Sequence, residues 1–372
     1  MQDDRADVSE LVHSAELTLR EACLQASSLL EAAGVTEPRA NAELLLLHVL
    51  GIERAQLMRD WREPMPLEHW ETWRQLIARK AAGEPVQYII GEGWFYGRAF
   101  AVTPAVLIPR PETELLVEAV LEAADRLWPA SSGSSGAALT GAGDAASGGV
   151  GGLCGGAPGA QGTDEAGSGR IDDSTLNGTE PRFGADADPR ALTVLDIGTG
   201  SGAIALTLAA ERPAWRLYAS DLSADALAVA GVNAASLGVE EQVTFVQGDL
   251  LAPFMQGGAA EGLSPALAGL TADIVVSNPP YIPAGDLLEL QREVRDFEPH
   301  LALVGGDDGL DPYRRMIGQL KGMSRLPRIV AFELGMGQAR EVARLLEEAF
   351  TWREVRIIED YAGIERHVLA LK

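Results

Sequence analysis

Apolar residues recur at helical spacing near the start of the chain. Leu17, Ala22, Ala26, Leu29, Leu30 and Ala33 share one face that stops at Gly34; Pro38 to Leu50 forms a second, very apolar segment ended by Gly51; Leu67 to Ala82 repeats the pattern up to Gly83. The spacing predicts a small helical bundle whose helices end at glycines. The stretch 85–110, PVQYIIGEGWFYGRAFAVTPAVLIPR, turns to β-branched and aromatic residues with glycines between them, and so predicts a β-hairpin. Pro111 then opens an amphipathic helix, PETELLVEAVLEAADRLW, with proline in its first turn and acids where the helix dipole favours them.

From Leu192 the period changes. Short apolar runs at LTVLD (192–196), RLYASD (216–221), VTFVQ (243–247), DIVVSN (273–278) and RIVAFEL (328–334) alternate with helical segments at 202–212, 225–237, 311–323 and 338–350. Such alternation predicts an α/β fold with a mostly parallel sheet covered by helices on both faces. The final stretch, TWREVRIIEDYAGIERHVLALK, holds two strand-like runs with no helix between them, and predicts a terminal antiparallel hairpin.

Composition changes this picture in one place. Residues 131–190 hold 16 of the 41 glycines and almost no large apolar side chains that could offset the entropy of ordering a backbone. We expect a flexible insertion over 130–190, dispensable for folding, with no adjacent strand or lysine that would make it a phosphate loop. The remainder divides into a helical domain at 11–83, a hairpin linker at 84–110 and an α/β domain at 111–372.

The formal net charge of −24 gives no counterion-release term with nucleic-acid backbones, so direct nucleic-acid binding is not expected. Two cysteines, Cys23 and Cys154, make no disulfide framework and no metal cluster, which fits a reducing cytoplasm. The acidic start MQDDRADVSE lacks the basic segment of a signal peptide, and no run approaches the ~20 apolar residues of a membrane span.

The chemistry gathers at strand ends. After the first run of the α/β part comes Asp196-Ile197-Gly198-Thr199-Gly200-Ser201-Gly202-Ala203, a tight glycine turn into a helix, where missing β-carbons let a ligand approach the backbone. Asp221, at the end of the second run, is placed to accept from both hydroxyls of a ribose. Both features are shared with dehydrogenases. Ser277-Asn278-Pro279-Pro280-Tyr281, ending the fourth run, is more specific. Residues preceding proline are pushed into extended conformations and Pro280 has no N–H, so the Asn278 side-chain oxygen and the Pro279 carbonyl form a rigid acceptor lip beside the Tyr281 ring. That lip suits a planar NH2 group conjugated to a π-system.

The glycine loop, Asp221 and Asn-Pro-Pro-Tyr together resemble methyltransferases that act on planar amino or amide nitrogens. GEGWFYGRAFAVTPAVLIPRPETELLVE (91–118), DIGTGSGAIAL (196–206), SNPPYIP (277–283), EPHLALVGGDDGL (298–310) and DYAGIERHV (360–368) resemble the peptide chain release factor N(5)-glutamine methyltransferases, the PrmC/HemK family. The resemblance covers nearly everything except 130–190. It implies a seven-stranded Rossmann-like methyltransferase sheet with a small N-terminal helical bundle, S-adenosyl-L-methionine as cofactor, and class I release factors as protein substrates, methylated on the glutamine of Gly-Gly-Gln. It also implies that Gly198, Thr199, Gly200, Ser201 and Gly202 line the methionine and ribose portions of the cofactor, Asp221 the ribose, and Asp249 and Leu250 the adenine. Asn278, Pro279, Pro280 and Tyr281 hold the substrate amide, with Asn278, Pro279 and Tyr281 as the catalytic set and Asn278 also beside the cofactor. Leu250 stands where some members carry an aromatic residue, so packing on adenine survives while stacking does not. Arg110, Glu112, Thr113 and Glu114 border the site by resemblance, although helix initiation explains them equally well. A monomer is expected. The runner-up is a methyltransferase for exocyclic base amino groups, which the charge opposes; a non-catalytic cofactor-binding subunit would have no need of the Asn-Pro-Pro-Tyr lip, and a dehydrogenase would need a proton donor that the lip lacks.

Overall fold

The computed structural model of the chain describes residues 17–129, 191–255, 267 and 269–372; the expected insertion at 130–190 and the first residues of the helical domain lie outside them. Four helices open the described chain: α1 (Leu19–Ala32), α2 (Pro38–Leu50), α3 (Arg54–Asp60) and α4 (Trp70–Ala81). Thr18 starts α1 with a reciprocal cap, its side chain accepting from Glu21 N while Glu21 accepts from Thr18 N. Leu30, Leu45, Leu46, Leu57, Trp70, Trp73 and Ile77 from these helices form one fully buried core. The short α3 escaped the hydrophobic pattern, since it buries only Leu57.

The expectation of a hairpin from residue 85 needs correction. Val86–Ile90 is a helical turn, α5, and the hairpin is confined to β1 (Glu92–Phe95) and β2 (Arg98–Ala101). Val86 and Ile89, three apart on a helix, drop into the bundle core, so tertiary burial overrides the β preference of their branched side chains. Tyr96 and Gly97 join the strands with φ of +51° and +71°, the two left-handed residues that a tight hairpin turn needs. Glu114 accepts from Tyr96 N at 2.7 Å and so supports the strained residue.

Helix α6 (Pro111–Leu127) leads into the α/β part, which contains β3 (Thr193–Ile197), α7 (Ala203–Glu211), β4 (Arg216–Asp221), α8 (Ala224–Leu237), β5 (Val243–Gln247) and β6 (Ile274–Ser277). After β6 the chain makes a long excursion containing α9 (Arg292–Phe297), then forms α10 (Asp311–Leu320), β7 (Ile329–Glu333), α11 (Ala339–Ala349), β8 (Glu354–Glu359) and β9 (Glu365–Leu371). The seven-stranded sheet has the order β5-β4-β3-β6-β7-β9-β8, with β9 antiparallel to both neighbours and the other pairs parallel, as the strand pattern and terminal hairpin predict. Alternate residues of each strand serve opposite faces. Val194, Ile274 and Val276 pack with α6 and α7, whereas Leu195, Val275, Val330 and Phe332 pack with α10 and α11. The order reverses between β3 and β6, which opens a crevice at their carboxyl ends.

One buried charge joins the helical bundle to the excursion after β6. Lys80 of α4 is 1% exposed and its Nζ donates to Glu293 of α9 at 2.5 Å and to the Glu84 carbonyl at 3.2 Å. Among the described residues no helix is long and apolar enough to cross a membrane.

Candidate active site

A cavity of about 330 Å3 opens at the reversal of strand order, of a size that suits a nucleotide-sized ligand. Its floor is the turn after β3. Gly198 and Gly200 have φ of +72° and +56°, and an added Cβ at either would meet nothing within 4 Å, so their bare backbone faces open space. Gly198 N and Thr199 N both donate to the Ser220 carbonyl, which ties the turn to β4. Thr199 and Ser201 also line the cavity, but Gly202 does not. It caps α7 at φ +84°, and a Cβ there would lie 2.7 Å from Leu206 Cδ1, so it is a packing glycine.

Asp196 beneath the turn is fully buried. Thr199 Oγ1 donates to its Oδ2 at 2.6 Å and Ala205 N donates to the same atom at 3.1 Å, while Oδ1 has no hydrogen-bond partner. Burial pushes this carboxyl up to about 7, against the pull of those two donors. Asp221 lines the cavity at the end of β4. Gly200 N and Ser223 N each donate to one of its oxygens at 2.9 Å, and each oxygen keeps a lone pair for a further donor. Burial raises its pKa, with the Ser223 and Gly200 N–H groups opposing.

Asp249 and Leu250 form the next wall after β5. Leu250 has φ +53°, an uncommon state for a side chain larger than glycine, and its carbonyl accepts from Ser220 Oγ at 3.3 Å. Asp249 is ion-paired with Arg315 of α10, a cavity residue that the sequence did not flag.

Asn278 and Pro280 line the far wall, beyond β6, whereas Pro279 and Tyr281 do not reach the cavity. Tyr281 packs beside the α10 and α11 core, and burial, reinforced by Glu333, pushes its phenol up to about 12, so it is neutral at physiological pH. Asn278 Nδ2 donates to Thr113 Oγ1 at 3.2 Å. Thr113 lies buried in the first turn of α6 and, like Arg110, lines the cavity; Glu112 does not, and Glu114 is spent on the hairpin. Arg110 is paired with Glu298, which is 4% exposed and whose carboxyl is raised by burial against the pull of Arg110.

Asn233 carries a further contact that sequence reasoning missed. Its Nδ2 donates to the carbonyls of Ala101 and Ser201 at 3.0 and 2.9 Å, and its Oδ1 accepts from Ala101 N at 2.6 Å. It thus staples the hairpin to the glycine turn. The available signal was one asparagine within the apolar run ALAVAGVNAA of that helix.

The strand order, the crevice at its reversal and the glycine turn define a Rossmann-like methyltransferase. Residues 21–91 match a model described as the PrmC N-terminal domain, and residues 194–264 a model described as a methyltransferase domain. A release factor glutamine methyltransferase of Bacillus cereus is 37% identical over 351 residues, covering 94% of this chain and 98% of that one. The protein of the same description from Moorella thermoacetica is 37% identical over 357 residues, with 96% and 99% coverage, and that of Bacillus subtilis 35% identical over 354 residues, with 95% and 98%. The chain belongs to the release factor glutamine methyltransferase family.

Proposed function

We propose that this protein transfers a methyl group from S-adenosyl-L-methionine to the side-chain amide nitrogen of the glutamine in the Gly-Gly-Gln motif of class I peptide chain release factors, acting as a cytoplasmic monomer. The cofactor fits the cavity's chemistry: bare glycine backbone for close approach, a carboxylate with spare lone pairs for ribose hydroxyls, and an apolar residue for adenine. In this reading Gly198, Thr199, Gly200 and Ser201 hold its methionine and ribose portions, with Gly202 setting the turn. Asp221 accepts from the ribose, and Asp249 with Leu250 borders the adenine. When bound, the cofactor supplies an electrophilic methyl group on a sulfonium.

The observation that carries the acceptor assignment is the hydrogen bond from Asn278 to Thr113. With Nδ2 committed there, Oδ1 is left to accept from an incoming N–H. An amide nitrogen is a poor nucleophile because its lone pair is delocalised into the carbonyl. In this reading Asn278 Oδ1, on the cavity wall, and the Pro279 carbonyl, outside the cavity lining, each accept one N–H of the incoming amide, which increases electron density on nitrogen and aims its lone pair, so rate comes from positioning and electrostatics. Pro280 stiffens the turn and Tyr281 backs it, and proton loss from nitrogen follows transfer. The glycines beside the substrate glutamine let its backbone enter closely.

The test is mass spectrometry of the Gly-Gly-Gln peptide after incubating a release factor with the enzyme and S-adenosylmethionine. A gain of one methyl on glutamine is expected, with none when that glutamine is replaced and none on duplex DNA or ribosomal RNA. Comparable methylation of DNA would overturn the reading in favour of a base methyltransferase.

A further inference from the structure

Gln338 holds the N-cap position of α11, where serine, threonine, aspartate or asparagine are the residues that satisfy the first N–H groups of a helix. Its side chain does not cap. Instead it crosses to two other segments at the carboxyl edge of the sheet. Oε1 accepts from Gly335 N, just past β7, at 2.9 Å, while Nε2 donates to the Tyr281 carbonyl at 2.9 Å and lies 3.4 Å from the Asp308 carbonyl. One N–H and two carbonyls surround the amide, so its orientation is dictated by its partners.

The space around this contact is closed. A Cβ at Gly309 would lie 2.2 Å from the Tyr281 carbonyl oxygen and 2.4 Å from Gln338 Nε2; one at Gly305 would lie 2.6 Å from the Pro280 carbonyl oxygen and 2.9 Å from Tyr281 Cα. The backbone of Pro280 and Tyr281 is therefore pressed between the 305–309 loop and Gln338. Proline restricts Asn278 and Pro279 from one side, and no side-chain hydrogen bond other than that of Gln338 reaches the Tyr281 carbonyl from the other among the described contacts.

We propose that Gln338 is a positioning residue for methyl transfer, fixing the Asn278-to-Tyr281 turn against the end of β7 so that its acceptor atoms stay in register with the amide. This rests on the reading that the turn holds the acceptor amide. Misplacement of a reacting group by ~1 Å can cost on the order of 10²-fold in rate, so one hydrogen bond on this turn has leverage on kcat that its distance from the cavity would not suggest.

The substitution Gln338→Glu keeps the size and the acceptor for Gly335 N but turns a carboxylate oxygen toward two carbonyls. Gln338→Met keeps the bulk without the charge, and serves if the first variant does not fold. Each is compared with wild type on a release factor, together with S-adenosylhomocysteine affinity by calorimetry and the melting temperature. Expected are falls in kcat and kcat/KM by the same factor, about 10-fold or more for Gln338→Glu and about 3-fold to 10-fold for Gln338→Met, with cofactor affinity within about twofold of wild type. Folded variants with wild-type kcat overturn the proposal, as does a loss of melting temperature and cofactor affinity with kcat per folded molecule unchanged. If wild type itself leaves the release factor unmethylated, it is the acceptor reading that fails, which keeps the two failures apart.

Discussion

The glycine-turn wall of the cavity is short in sequence, whereas the Asn278 wall is assembled from across the chain. Asp196, Thr199 and Ala205 support one another within ten residues, and the distant partners of the turn are β4, the next strand along, and Asn233 of the helix that follows it. On the other wall, Asn278 leans on Thr113, 165 positions away, Tyr281 on Gln338, 57 away, and Arg110 on Glu298, 188 away. In the function proposed above, the first wall presents backbone and one carboxylate and would bind the cofactor. The second presents a single amide whose position would then have to be exact to a fraction of an ångström, with a framework around it. Binding and positioning are thereby separable by mutation.

The largest separation is expected from Asn278→Ala, which removes a preorganised acceptor. kcat should fall on the order of 10²-fold to 10³-fold while cofactor affinity is mostly retained, read by steady-state kinetics beside calorimetry. Equal loss of both would merge the two walls. Asp221→Ala should do the converse and weaken cofactor binding by about 1.5–3 kcal/mol, the usual worth of hydrogen bonds to a charged group. Because this carboxylate also holds Gly200 N and Ser223 N, the loss should exceed that of Asp221→Asn, which retains one acceptor.

Asp196 sharpens the comparison on the stability axis. Its carboxyl is raised by burial from 3.8 in the unfolded chain to about 7 in the fold, so its contribution is fully present below pH 4 and is lost as pH rises toward 7. The slope attributable to it is at most about 1.4 kcal/mol per pH unit. Asp196→Asn, whose amide oxygen can still accept from Thr199 and Ala205, should flatten the pH dependence of denaturant unfolding across that window; an unchanged slope would remove Asp196 from the account. The smallest effect is expected from Thr113→Val, which withdraws one neutral hydrogen bond from Asn278 and should lower kcat by about 1 kcal/mol, roughly 5-fold, with cofactor affinity unchanged.

The same contrast explains what could be read from the sequence. DIGTGSGA and the strand-ending Asp221 announce themselves because their partners are neighbours in the chain, and strands β3 to β7 follow from apolar runs that a buried parallel sheet requires. Asn278-Pro279-Pro280-Tyr281 was equally visible, but its supports were not. Gln338 sits at an unremarkable helix start, Asn233 within an apolar helix, and Glu298 outside any periodic element, so only folding reveals what each touches. Arg110 and Thr113 were reached by resemblance alone. The turn of helix at 86–90 departs from its strand-like pattern for a related reason: its branched side chains answer to a core supplied by residues up to seventy positions earlier.

The pair formed by Lys80 and Glu293 has a consequence for how the molecule comes apart. Swinging the helical arm away from the α/β part would separate the buried Lys80 ammonium from the Glu293 carboxylate, which is already one third exposed, and water reaching both charges would offset much of the lost attraction. The pair is therefore expected to add specificity more than strength, because a docking of arm on sheet that misses Glu293 leaves the Lys80 ammonium with only the Glu84 carbonyl to donate to.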